Sequence, residues 1–204
     1  MSKVLFNGSD QAPNRVLLAH GAGAGMEHPV MASLAEGLAD AHIQVIRFEF
    51  PYMQKSQQDG RRRPPDREPV LLDCWRDMAA AFAHPRLFLA GKSMGGRMAS
   101  LVADELSPRG LLLLGFPFHP PGKPERFRGQ HLASIATPTL LVQGERDSFG
   151  NRDAVAGYDL ADGVETCWVR DGDHGFSPRK SSGTTLARNL ALVVAQMRSF
   201  VLAD

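Results

Sequence analysis

The sequence predicts an α/β fold, a mostly parallel sheet with helices on both faces. Two observations carry that expectation. Short runs that are apolar at every residue take turns with amphipathic stretches of helical period along the chain, the pattern of βαβ units. Strands apolar on both sides need cover on both faces, which helices supply in parallel sheets. Length is a third, weaker guide. At 204 residues the chain suits about one domain, large enough to hold a core without metal or disulfide. We expect residues 1–204 to form a single domain.

The elements follow in order. Val16-Leu17-Leu18-Ala19 is a continuous apolar run ending near Gly21 and reads as a buried strand. Val30, Met31, Leu34, Ala35 and Leu38 form a helical stripe. Ile43 to Phe50 alternates and is rich in β-formers, so it reads as a strand. Pro69 opens a helix, where its missing N–H costs little, with the stripe Leu71, Cys74, Trp75, Met78 and Phe82. Leu87 to Ala90 is a third strand, and Met98, Leu101, Val102 and Leu106 mark the helix behind it, closed by Pro108. Leu111 to Leu114, Thr139 to Val142 and Thr166 to Val169 read as three further strands. Leu186, Leu190, Val193, Val194, Met197 and Val201 form a C-terminal amphipathic helix. Two stretches break the pattern. Residues 52–68 are polar and carry Arg61, Arg62 and Arg63, and residues 116–138 hold five prolines. Both follow expected strands, so both should emerge at the carboxyl ends of the sheet, where open α/β sheets bind ligands.

Composition excludes several classes. Lys+Arg is 23 and Asp+Glu is 22, a net charge of +1. That balance argues against a general nucleic-acid or membrane-surface binder, which needs a strong positive field. Two cysteines, Cys74 and Cys167, are too few for a disulfide framework and read as buried small hydrophobes. The N-terminus lacks the run of about 7–15 apolar residues of a secretory signal. No segment approaches the roughly 20 apolar residues that span a bilayer. The expected location is the cytoplasm.

The chemistry concentrates at Gly91-Lys92-Ser93-Met94-Gly95, a G-x-S-x-G pattern between an expected strand and an expected helix. A sharp strand-to-helix turn there projects the Ser93 hydroxyl, and the glycines remove Cβ atoms that would clash across it. A phosphate-binding loop would need glycine five positions before Gly91, where Arg86 stands. A serine nucleophile needs a base and the base an orienting acid, in chain order Ser, acid, His. Asp147 follows the strand Thr139 to Val142, and His174 follows the strand Thr166 to Val169. Glu145 is a competing acid. Asp171, Asp173 and His174 could suggest a metal site, but nothing else of ligand type lies nearby in sequence, so no metal is expected. An oxyanion hole would use the N–H of Met94 and one from the small-residue run Gly21-Ala22-Gly23-Ala24, either Ala22 or Gly23, with Ala22 favoured. The same run does not fit a dinucleotide motif, whose third glycine would fall at Met26.

With these residues in hand, the chain resembles the α/β-hydrolases. Specifically, it looks like a small cap-less hydrolase-like family that includes a mammalian testis-expressed protein and a subunit of a nuclear acetyltransferase complex. The match rests on His20-Gly21-Ala22-Gly23-Ala24, Phe48-Glu49-Phe50-Pro51-Tyr52-Met53, Gly60-Arg61-Arg62-Arg63-Pro64 and Gly91-Lys92-Ser93-Met94-Gly95-Gly96-Arg97. Gln143-Gly144-Glu145-Arg146-Asp147 and Gly172-Asp173-His174 extend it over nearly the whole chain. A more distant likeness is to dienelactone hydrolases, whose nucleophile is cysteine where Ser93 stands. The resemblance implies an α/β-hydrolase fold and the triad Ser93, Asp147 and His174. It implies little about substrate.

The chain is short for that fold and leaves no room for a large cap domain, so residues 116–138 are the one candidate for a short lid. Gly23, Met26, Met53, Phe116, Phe149 and Phe176 are the expected substrate-binding residues, Phe118 being weighed with them. His119 and His131 stand near the mouth or on the surface. One of Arg61, Arg62 and Arg63 could select acidic esters. The expected activity is a cofactor-free serine esterase acting on a small-molecule ester, falling off below about pH 6–7, where an ordinary histidine takes up its proton. The alternative is a catalytically silent hydrolase-like scaffold, with a haloperoxidase or thioesterase activity of the same triad as a fainter one. No nucleic acid or membrane partner is expected, and the oligomeric state stays open.

Overall fold

The computed structural model describes residues 2–203. Its centre is a seven-stranded sheet built from the apolar runs. In chain order the elements are β1 (Val4–Asn7), β2 (Asn14–Ala19), α1 (Pro29–Leu38), β3 (Ile43–Phe48), α2 (Pro51–Asp59), α3 (Glu68–Ala81), β4 (Leu87–Lys92), α4 (Met94–Leu106), β5 (Gly110–Leu114), β6 (Thr139–Gly144), α5 (Arg152–Val155), β7 (Val164–Val169) and α6 (Leu186–Leu202). The strand order is β1-β3-β2-β4-β5-β6-β7. Among the described strands only β1 runs antiparallel, against β3. β2, β4 and β5 are wholly buried or nearly so, which matches strands apolar on both sides.

Each face of the sheet has its own core. On one, Leu17, Phe48, Leu89 and Leu113 pack against Trp75 and Met78 of α3 and Met98 and Val102 of α4. On the other, Val16, Leu18, Ala90 and Leu112 pack against Leu34 and Leu38 of α1 and Val193 and Met197 of α6. Burying side chains of this size stabilises by about 1.5–3 kcal/mol each. The chain winds outward from β2 to β3 on one side and from β4 to β7 on the other. The loops after β2 and β4 therefore part at a switch point, the crevice where such sheets bind ligands. Among the described residues no large cap covers it. Among the described residues no helix is long and apolar enough to cross a membrane.

Four details differ from the sequence reading. β1 was not foreseen, because four residues on a sheet edge carry too short a pattern to stand out. The third strand ends at Phe48 rather than Phe50, since Pro51 opens a helix and holds the residue before it extended. That helix, α2, replaces the first half of the polar stretch. It has a single buried residue, Tyr52, so it shows no apolar stripe, and Gly60 stops it in the left-handed region at φ 68°. Finally, β4 runs on to Lys92 and delivers the chain directly to Ser93. Residues 116–138 form irregular chain with one short 3-10 turn at Gln130–Ala133, as their prolines suggest.

Candidate active site

Ser93 sits between β4 and α4 with φ 52° and ψ −118°, a region that residues other than glycine rarely occupy. The turn is possible because its neighbours lack side chains. A Cβ on Gly91 would overlap the backbone of Gly96, and one on Gly95 would come within 2.5 Å of the His20 carbonyl oxygen. The Ser93 N–H donates to the Leu114 carbonyl at 2.9 Å, which fixes the turn to the end of β5. Such backbone strain costs about 1–3 kcal/mol and is held by the surrounding structure.

The hydroxyl so displayed meets an imidazole. Ser93 Oγ lies 2.8 Å from His174 Nε2, and His174 Nδ1 lies 2.8 Å from Asp147 Oδ2. The acid is wholly buried and the histidine partly exposed. Asp147 Oδ1 accepts the Phe149 N–H at 2.8 Å, and Asp147 Oδ2 also accepts the Gln143 side-chain amide at 3.1 Å. With its oxygens so occupied, the carboxylate is aimed at Nδ1. The tautomer that satisfies this chain has Nδ1–H donating to Asp147 and Nε2 open to the serine proton. The Phe149 ring lies over the imidazole at 4.3 Å between centroids.

The competing assignments separate cleanly. Glu145 accepts from Arg152 at 3.0 Å and from the Asp171 N–H at 2.9 Å, so it ties loops together away from the imidazole. Asp173 Oδ1 accepts the N–H groups of Gly175 and Ser177 at 2.8 and 2.9 Å and shapes the turn that carries His174. Asp171 faces Arg146 and Arg179. Among the described residues no group of three His, Cys, Asp or Glu side chains is placed to hold a metal ion. A second serine–histidine contact exists, Ser100 Oγ to His131 Nε2 at 2.7 Å. There the hydroxyl donates to the Arg97 carbonyl at 2.8 Å, so it accepts from the imidazole and is not activated by it.

Beside Ser93 opens a cavity of about 320 Å³. Gly21, Ala22, Gly23 and Ala24 form one wall, Val30 and Met31 of α1 a second, and Phe149, His174 and Gly175 a third. Among the described residues neither the Ala22 N–H nor the Met94 N–H has a hydrogen-bond acceptor.

Of the expected lining residues, Gly23 and Phe149 line this cavity. Met26, Phe116 and Phe176 do not: each is fully buried in the core. Phe116 belongs to one sheet face and Phe176 to the other. Met26 lies in the turn that leads into α1, its N–H donating to Glu49 at 2.9 Å. Met53 packs against the core under α2 rather than facing the cavity. Large apolar side chains near a site are drawn first to the core, which offers more burial than an open mouth. The same holds for the expected lid. Residues 116–138 give the cavity no lining residue, and Phe118 packs against Phe127 and Tyr158 instead. His119 binds the Pro120 carbonyl and also stays clear of the cavity. Arg63 is paired with Asp59 at 2.6 Å, and none of Arg61, Arg62 and Arg63 lines it.

Three nearby residues carried no signal as functional groups. Gln143 reads as one polar residue closing a strand, yet its buried amide also donates to the Phe116 and Gly150 carbonyls and so locates the Asp147 loop. Tyr52 lies on the helix that periodicity missed. Lys92 lends its stem to the cavity wall, but its ammonium nitrogen is buried with no hydrogen-bond partner among the described residues. It lies 5.3 Å over the Phe176 ring. Gly115 makes room for it: a Cβ there would lie 2.7 Å from Lys92 Nζ and 3.6 Å from Asp147 Oδ2.

Burial pushes the Lys92 amine down to about 8, against the pull of Asp147 and Asp173. Below that pH the folded protein carries a buried charge that the unfolded chain keeps in water. Between pH 8 and the ordinary 10.5 the folded amine is neutral while the unfolded one still binds a proton, so this group's penalty fades as pH rises. Lys92→Met is therefore expected to be more stable than wild type at pH 7, by about 1–3 kcal/mol. That advantage shrinks above pH 8. Urea unfolding of both proteins at pH 7 and pH 9.5 checks it, and a Lys92→Met protein less stable at pH 7 contradicts it.

Comparison with known proteins places this geometry in context. A family model described as an alpha/beta hydrolase domain matches residues 12–202. Among solved structures, an alpha-beta serine hydrolase homologue from Coxiella burnetii superposes with a TM-score of 0.72 at 18% identity, covering 99% of this chain and 91% of that one. A serine hydrolase without lid from Xanthomonas campestris gives 0.69 at 20% identity, over 98% of this chain and 90% of that one. Est1E from Butyrivibrio proteoclasticus, solved with ferulic acid bound, gives 0.70 at 14% identity, over 99% and 96%. At these identities the solved structures speak for the fold alone.

Proposed function

The chain belongs to the alpha/beta hydrolase family, and from that premise we propose that it is a serine hydrolase cleaving small, uncharged esters. The observation that carries the reading is the unbroken relay from Ser93 Oγ through both imidazole nitrogens of His174 to Asp147, each link 2.8 Å. Ser93 Oγ attacks the ester carbonyl while His174 Nε2 takes its proton. Asp147 holds the tautomer and stabilises the imidazolium that forms. The carbonyl oxygen becomes an oxyanion within reach of the Ala22 and Met94 N–H groups, each worth about 3–4 kcal/mol in the transition state. Collapse breaks the ester C–O bond, and His174 returns the proton to the departing alkoxide. Water then enters by the same route in reverse, leaving a carboxylic acid and free Ser93.

The cavity supports the substrate class. Apart from Ser93 and His174, its walls are Ala22, Ala24, Val30, Met31 and Phe149 with three glycines, the stem of Lys92 and His28, whose Nδ1 accepts the Val30 N–H at 3.3 Å. No carboxylate or guanidinium lines it, and the Lys92 ammonium is buried with no hydrogen-bond partner among the described residues. A carboxylate on the substrate would lose water there and meet no Arg side chain to pair with. In a series of p-nitrophenyl esters, butyrate should therefore be cleaved faster than the anionic hemisuccinate. Val30→Phe narrows the cavity and should lower the hexanoate-to-acetate ratio of kcat/KM about tenfold, the scale on which apolar pockets discriminate. Hemisuccinate as the better substrate would overturn the uncharged class. Folded protein inactive on the whole series would favour the non-catalytic scaffold.

A further inference from the structure

The loop that offers the Ala22 N–H has little of its own to hold it. It reads Gly21-Ala22-Gly23-Ala24-Gly25, and a Cβ on Gly23 would meet nothing within 4 Å. Such a segment loses much backbone freedom on ordering and needs ties from outside. The ties come from the connection between β3 and α2. Glu49 accepts the Met26 N–H at 2.9 Å and so pins the far end. His20, buried beside it, has Nδ1 2.7 Å from the Gly21 carbonyl oxygen. Between them the Gly25 carbonyl accepts the His28 N–H at 3.1 Å, and the Ala22 carbonyl is held by the phenol of Tyr52. Its hydroxyl lies 3.1 Å from the Ala22 carbonyl oxygen and 3.3 Å from that of Gly21, one hydrogen shared between two acceptors.

The covalent geometry makes this contact consequential. The Gly21 carbonyl and the Ala22 N–H belong to the same planar peptide unit, pointing in opposite directions. Rotation that swings one swings the other. The Ala22 carbonyl belongs to the next unit. A hydroxyl bonded to both carbonyls therefore sets the dihedral angles at Ala22 and the direction of its N–H. Tyr52 itself is rigid. It is 1% exposed, its own N–H donates to Asp66 at 2.8 Å, and its ring lies against His20.

We infer that Tyr52 is a positioning residue for the oxyanion hole: its hydroxyl locks the Gly21 and Ala22 peptides so that the Ala22 N–H faces the oxygen of the reacting carbonyl. The inference rests on the serine-hydrolase reading. It gives a role to the Tyr52 hydroxyl, which burial of the ring in the core does not require. A buried tyrosine that served only as filler would need its ring and not its hydroxyl.

Tyr52→Phe separates the two roles, because it keeps the ring and removes one oxygen. Removing an oxyanion donor outright costs about a hundredfold to a thousandfold in kcat. Loosening one should cost less, and we expect kcat on p-nitrophenyl butyrate to fall about tenfold with KM within twofold of wild type. A boronic acid, which forms a tetrahedral adduct with Ser93, should lose affinity in parallel. The melting temperature reports any general loss of structure. Tyr52→Ala, with the ring gone, should lose stability as well as rate. A Tyr52→Phe enzyme with wild-type kcat and boronate affinity overturns the inference and leaves the hydrolase reading standing. Inactive but folded wild type defeats the hydrolase reading and the inference with it.

Discussion

Replacing Ser93 by alanine is expected to lower kcat about a million-fold on any ester the wild type cleaves, with the fold intact. Removing the nucleophile of a triad costs about that much, and the remaining rate comes from binding and the oxyanion donors acting on water. The change deletes one oxygen and keeps the Cβ, so the turn between β4 and α4 retains its φ of 52° and its strain. Glycine at the same position accepts that φ freely. Ser93→Gly should therefore be equally inactive yet more stable than Ser93→Ala by about 1 kcal/mol. Kinetics and urea unfolding of the two variants together test both halves. Residual activity above about one per cent of wild type in either would place the nucleophile elsewhere.

Asp147→Asn should come next in size, with a loss of about ten thousandfold in kcat and little change in KM. Asparagine is nearly isosteric, so the Phe149 N–H can still donate to its carbonyl oxygen where it now donates to Oδ1 at 2.8 Å. Its amide then faces His174 Nδ1 with hydrogens and favours the tautomer whose Nε2 carries the proton. That imidazole cannot take a proton from Ser93. Gln143 suffers too, because its amide donates to Asp147 Oδ2 at 3.1 Å and would meet another amide. A steady-state comparison at pH 7–8 decides the matter. A drop of less than tenfold would mean that Asp147 does not orient the base.

The sequence made the frame legible because its strands are short, uniformly apolar and spaced by helices of clear period. Leu87 to Ala90 before Gly91 marked the turn that carries Ser93, and chain order pointed to Asp147 and His174 in the loops after β6 and β7, which the fold brings into one hydrogen-bonded chain with Ser93. Periodicity left unread the groups it cannot weigh. α2 has one inward residue, Tyr52, and so leaves no stripe to detect. Lys92 looks like a solvated lysine in a turn, and only the space over Gly115 shows where its ammonium goes. The aromatic residues near the motifs misled in the opposite sense. Phe116 and Phe176 lie close to the site in sequence, but each satisfies the core first. The cavity is lined instead by small residues whose sequence signal, glycine and alanine, speaks of close approach rather than of contact area.

The central claim is that His174 makes the Ser93 hydroxyl nucleophilic. Incubation with a fluorophosphonate, followed by mass mapping of the labelled peptide, measures this most directly. The expected result is one adduct on Ser93 in the wild type, none on Ser93→Ala, and labelling of Ser93 in His174→Ala slowed at least a thousandfold. Folded wild type that takes no label, or takes it on Ser100 beside His131, would contradict the claim.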